Sequence, residues 1–86
     1  MQNGEGIRVS TTAVSGGSIT VNVGPTDDVV EIGVLGGTAT TTHHVPGDKD
    51  TLIPVPSAEA GSLLVVMVGK GKRKRRIVVT IVAPTP

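Results

Sequence analysis

Hydrophobic positions along this chain recur with a period of two and come in short bursts. Ser18 to Val23 is the clearest case, with Ile19, Val21 and Val23 alternating with Ser18, Thr20 and Asn22. That is the signature of a strand with one face in a core and one in water. Ile7 to Val14 reads as a preceding strand in which Ile7 and Val9 share a face and Ala13 follows a kink. Val29 to Leu35 is a third, with Val30, Ile32 and Val34 on one face and Val29, Glu31, Gly33 and Leu35 on the other. Thr38 to His43 is polar and Thr-rich, which suits an edge strand. Thr51 to Val55 is apolar, but Pro54 and Pro56 place it at an edge or end it early.

The last two bursts, Leu63–Val68 and Ile77–Val82, are apolar on both faces and flank a basic, glycine-bearing connection. They predict a hairpin at the centre of a sheet. If Leu63, Val65 and Met67 face the core with Ile77, Val79, Ile81, Val30, Ile32 and Val34, the outer face carries Leu64, Val66, Val68, Val78 and Val82, joined by Val29 and Leu35. Either way round, one apolar face is left over. An exposed apolar patch of this size marks an interaction surface. It predicts a docking face for a protein partner or a second copy; terminal arms folding over it would be the plainer alternative. On this phase, an aspartate at Leu64 or Val66 breaks association and spares the fold.

Seven short strands separated by Gly/Pro turns predict an all-β antiparallel sandwich over residues 7–82, with a flexible arm at 1–6 and an extended Pro-rich tail at 83–86. No window holds a 3.6-residue period, and no apolar run approaches the ~18 residues of a membrane span. At 86 residues the chain is one domain with a small stability margin. Glu59, Gly61, Leu63 and Val65, preceded by Leu52-Ile53-Pro54-Val55-Pro56, stand at the spacing of the acid, small residue, tyrosine and buried residue that lead into the sixth strand of immunoglobulin-like domains. The chain thus resembles a minimal immunoglobulin-like or fibronectin-like module of bacterial or phage type. Leu63 stands where the tyrosine would, and the paired cysteines and tryptophan of antibody-type domains are missing. The resemblance implies a structural or adhesive module of a virion (capsid decoration) or a bacterial cell surface. The opening Met-Gln-Asn-Gly-Glu-Gly lacks the basic-then-apolar order of a signal peptide, so export is expected only if a leader has been removed.

Charge is concentrated at one place. The net charge is +1, yet Lys70, Lys72, Arg73, Lys74, Arg75 and Arg76 hold six of the eight basic residues. The remainder has Arg8 and Lys49 against seven acids, a balance of −5. In an extended hairpin Lys70, Lys72, Lys74 and Arg76 share one face and Arg73 and Arg75 the other. Such a tip contacts a polyanion or an acidic protein partner, or simply keeps an apolar hairpin soluble. Absence of Phe, Trp and Tyr removes the stacking platforms that single-stranded nucleic acid and sugars need, so any nucleic-acid contact would be to phosphates.

No catalytic constellation stands out, and neither an enzyme, a cofactor nor a small-molecule substrate is expected. His43 and His44 are adjacent and would point to opposite faces of a strand, so they do not form a chelating pair. Asp27, Asp28, Asp48 and Asp50 are clustered loop carboxylates of the kind that bind Ca2+, but as turn residues bonding nearby backbone they need no metal. Gly69-Lys70-Gly71-Lys72 lacks the strand, helix and Lys-Ser/Thr ending of a phosphate loop.

Overall fold

A computed structural model describes residues 7–84 and shows an all-β domain of two packed sheets. Eight strands are present among these residues: β1 (Arg8–Val9), β2 (Thr12–Val14), β3 (Ser18–Asn22), β4 (Asp28–Val34), β5 (Thr40–Val45), β6 (Thr51–Pro54), β7 (Leu63–Val68) and β8 (Arg75–Val82). One sheet has three strands in the order β1-β3-β6, the other five in the order β2-β8-β7-β4-β5. The expected arm at residues 1–6 lies outside the described residues, as do Thr85 and Pro86 of the tail.

The expected first strand is two strands in different sheets. Val9 pairs antiparallel with Val21. Ser10 then closes that ladder twice: its N–H donates to the Thr20 carbonyl at 3.1 Å, and its Oγ accepts the Thr20 N–H at 2.9 Å. With Ser10 fixed there, the chain crosses over. Thr12–Val14 pairs parallel with Thr80–Val82, which carries Ala13 into the core beside Ile81. The kink expected before Ala13 is thus a change of sheet.

β3 alternates as its composition demands, with Ile19 and Val21 buried. Ile19 lies opposite Ile53, while Thr20 and Leu52 form the next pair on the outer face. β5 and β6 are edge strands, as their Thr and Pro content required. The hairpin β7–β8 is internal, with β7 at the middle of its sheet. The buried core is aliphatic and drawn from both sheets, and it includes Ile19, Val21, Val30, Ile32, Ile53, Leu64, Val66 and Ile81. Each such side chain contributes about 1.5–3 kcal/mol by leaving water.

The phase of β7 is the reverse of that expected. Leu64 and Val66 are 0% exposed and Val68 1%. They belong to the core and cannot line an outer docking face. The cause is the pairing. Residues opposite each other in an antiparallel ladder share a face, and Leu64 lies opposite both Val79 and Val34, while Val66 lies opposite Ile77 and Ile32. Val65 is accordingly not the buried residue that the immunoglobulin-like spacing implied; it is half-buried on the outer side.

Two loops lock together at one end of the sandwich. Asp27 Oδ1 accepts the Gly47 N–H at 2.8 Å, and the Asp48 N–H reaches the Gly24 carbonyl at 2.6 Å with Asp48 at φ +57°. A Cβ on Gly47 would stand 2.5 Å from the Pro25 carbonyl oxygen, so only glycine permits this approach.

Candidate functional site: an apolar sheet face and a basic tip

The outer face of the five-stranded sheet forms a grid whose rows are set by the strand registers. From the basic end, the first complete row is Thr42, Glu31, Met67 and Arg76. The next is Thr40, Gly33, Val65 and Val78. Below it Leu35, whose N–H donates to the Leu63 carbonyl at 2.8 Å, is followed by Leu63, Thr80 and Thr12. Val82 and Val14 close the face.

Of the residues expected on this face, Val29, Leu35, Val78 and Val82 are there, with Leu35 51% and Val78 47% exposed. Leu63, Val65 and Met67 take the places expected for Leu64, Val66 and Val68. Beside Gly33, where Thr40 Cγ2 stands 2.9 Å from the place of a Cβ, the face is hollow. A cavity of about 300 Å3 opens there, lined by Glu31, Gly33, Leu35, Thr40, Val65 and Met67. Glu31 and Arg76 stand on either side of Met67, one strand away from it each. Sequence reasoning missed this charged pair, because its placement depends on the β7–β8 register.

The basic tip also differs from an extended hairpin. Gly71–Arg73 is a single 3-10 turn, entered through Gly69 at φ +102° and Gly71 at φ +58° and closed by the Lys74 N–H on the Gly71 carbonyl at 3.3 Å. The expected alternation of Lys70, Lys72 and Lys74 against Arg73 therefore does not hold within the turn. β8 begins at Arg75, opposite Val68, and Arg76 follows opposite Met67. Lys70, Lys72, Lys74, Arg75 and Arg76 are all exposed; the side chain of Arg73 lies outside the description. Arg75 shares the inner face of Ile77, Val79 and Ile81 but sits beyond the core at the sheet's end.

Beside this tip two open clefts lie against the loop carboxylates. One of about 750 Å3 runs between Pro25–Val29, His44–Pro46 and Gly69–Lys70. Another of about 500 Å3 is lined by Ile7, Asp28, Val68, Lys72, Lys74 and Arg75. The aspartates at this end serve the backbone and neighbouring side chains. Asp27 holds Gly47, Asp28 Oδ1 accepts the Val29 N–H at 2.8 Å, and Asp50 Oδ1 accepts from Asn22 Nδ2 at 3.0 Å. Among the described residues no group of three or more metal-ligating side chains converges. His43 lies opposite Val30 on the inner face, with Nε2 2.9 Å from Thr41 Oγ1, while His44 lies opposite Val29 on the outer face. No described helix is long and apolar enough to cross a membrane.

Fold and site together define a small all-β domain of two packed sheets with one apolar outer face and one cationic end. No protein-family model matches the chain, nor does any curated protein or solved structure at a significant level.

Proposed function

We propose that this protein is a non-catalytic docking module that attaches to a larger assembly through the outer face of its five-stranded sheet and presents its basic tip outward. The observation that carries this reading is the composition of that face. Leu35, Leu63, Val65, Met67 and Val78 are contiguous across three strands and none belongs to the core. Water contact with this much aliphatic surface is unfavourable, and a partner relieves it.

An immunoglobulin-like sandwich is part of the proposal. It is supported by the strand order. β8-β7-β4 follows the G-F-C order of that fold with β5 added at the C′ place, and β3-β6 follows B-E. The assembly such modules imply is a virion or a bacterial surface.

The test compares tagged wild type with Val78→Asp in cells of the source organism. Wild type is expected to sediment with a large assembly, and Val78→Asp to run free with unchanged thermal stability. Equal behaviour of the two, bound or free, would overturn the reading.

A second reading, contact with a polyanion such as nucleic-acid phosphate, is favoured by the five exposed cationic side chains gathered around the tip. Its test is the salt dependence of binding to a short DNA duplex. Phosphate contact gives a steep log–log slope of about −0.9 per phosphate neutralised. A flat response, or no binding at low salt, removes this reading.

A further inference from the structure

We infer that the occupant of the apolar face is a second copy of this chain, packed sheet on sheet about a two-fold axis that runs along β7. The inference rests on the docking reading and changes one part of it. The face's direct occupant is a second copy, and the resulting pair, with both basic tips at one end, is the unit that joins the larger assembly. Breaking the face therefore releases the chain from both.

Two sheets stacked by a two-fold axis must have that axis in the plane between them. An axis along β7 lays each copy's β4 over the other's β8 and each β7 over its counterpart. Row by row, Glu31 then meets the Arg76 position of the second copy, and Arg76 meets Glu31. In the next row Val78, 47% exposed, meets the 300 Å3 hollow beside Gly33, with Thr40 Cγ2 as its near wall. Leu63, Val65 and Met67 meet their own equivalents along the axis. The surface is therefore self-complementary in charge and in shape. An isologous interface requires this: if i touches j, then j touches i.

The alternative axis, across the strands through Met67, would place Glu31 over Glu31 and Arg76 over Arg76. Like charges directly apposed at the edge of an apolar contact disfavour that arrangement. Moved one row to Val65, the transverse axis lays Glu31 over Leu35 and Arg76 over Thr80, so both charges lose water without gaining a partner. Only the axis along β7 gives each charge an opposite one. That axis leaves both tips, Lys70–Arg76 of each copy, at the same end of the pair.

The test uses the purified full chain in light scattering coupled to gel filtration over a concentration series. Wild type is expected to approach twice 8.7 kDa, and Val78→Asp to stay at 8.7 kDa. Glu31→Arg and Arg76→Glu are each expected to be monomeric, since each puts like charges together twice. Mixed in equal amounts they should associate, because a pair made of one of each restores both opposite-charge contacts. The double variant Glu31→Arg/Arg76→Glu should self-associate again.

A wild type that remains monomeric at millimolar concentration overturns the inference. If Val78→Asp still runs free of its assembly in cells, the docking reading survives that result with a heterologous partner. A wild-type dimer broken by Val78→Asp, but with single charge variants that still dimerise and a mixture that gains nothing, overturns the axis along β7 while leaving the face in use. Circular dichroism of each variant reports folding, and association of the mixture itself requires both partners to be folded.

Discussion

The two outer faces of this sandwich are built by the same backbone rules and place their apolar side chains differently: Leu52 stands alone among polar neighbours on one, and a contiguous aliphatic group stands on the other. On the three-stranded sheet, Arg8, Ser18, Thr20 and Asn22 turn outward, as expected of a face in water. On the five-stranded sheet the corresponding positions hold Leu63, Val65, Met67 and Val78. The core does not need these side chains. Leu64, Val66, Val68, Val79 and Ile81 already fill the inner side of the same two strands. Folding constrains the inner residues of β7 and leaves its outer ones free to be polar. On the docking reading, the apolar outer face answers to what the sheet meets, and the other face of the sandwich is its internal control.

A single charge placed on each side of β7 separates the two faces most strongly. Val66→Asp puts a carboxylate where there is no water and no partner, a cost of several kcal/mol. Against a stability of about 4–13 kcal/mol for a chain of this length, the cooperative thermal transition should be lost or shifted down by tens of degrees. Met67→Asp, one residue on, should melt within a few degrees of wild type in calorimetry at a concentration where both are monomeric. If the two variants fall equally, the outer face is a second core and the docking reading goes with it.

A milder pair asks the same question by truncation. Leu64→Ala should lose about 2–5 kcal/mol in urea unfolding, because a buried leucine leaves both its transfer energy and a cavity. Leu63→Ala, at 36% exposure, should lose about 1 kcal/mol or less. Reversal of that order would restore the phase that the apolar run first suggested.

The phase of β7 was illegible because its neighbours carry polar markers and it does not. β3 carries Ser, Thr and Asn at every second place, so its inner face is marked. β8 is marked by Thr80, and β4 by Glu31 and Gly33, and the inner faces read from those two strands are the observed ones. Leu63–Val68 has six apolar residues and no polar marker, so period-two reasoning fits either face equally. Only the ladders to β8 and β4 decide, and the first depends on how the chain turns between Gly69 and Lys74. The positive φ of Gly69 and Gly71 sets the turn, and a run of basic residues does not announce a 3-10 geometry. The division of Ile7–Val14 between sheets was hidden for a similar reason: it rests on a side-chain bond from Ser10 across to Thr20. What composition did mark were the edges, since the Thr-rich β5 and the proline-bounded β6 both lie at sheet margins.

A smaller effect tests the face without adding charge. Val65→Thr with Val78→Thr keeps shape and strand preference while exchanging methyls for hydroxyls. Monomer stability should move by less than about 1 kcal/mol, while association measured by light scattering should weaken by at least tenfold. Unchanged association would mean that the methyl surface is not what holds the partner.

The smallest expected effect is also the most discriminating control. Leu52 is the most exposed large apolar side chain described, at 70%, and it stands on the polar face opposite Thr20. If association were general stickiness, Leu52→Ser should reduce it more than any change at Val78, which is less exposed. If it belongs to the five-stranded sheet, Leu52→Ser should leave the oligomer mass unchanged and stability within about 0.5 kcal/mol. Exposure alone would favour Leu52. Contiguity favours Val78, whose neighbours Val65 and Met67 extend the contact across strands, whereas Leu52 is flanked by Ser18, Thr20 and Asn22 on the adjoining strand. An isolated leucine in a polar field has nothing to add its buried area to, so its removal should not be felt.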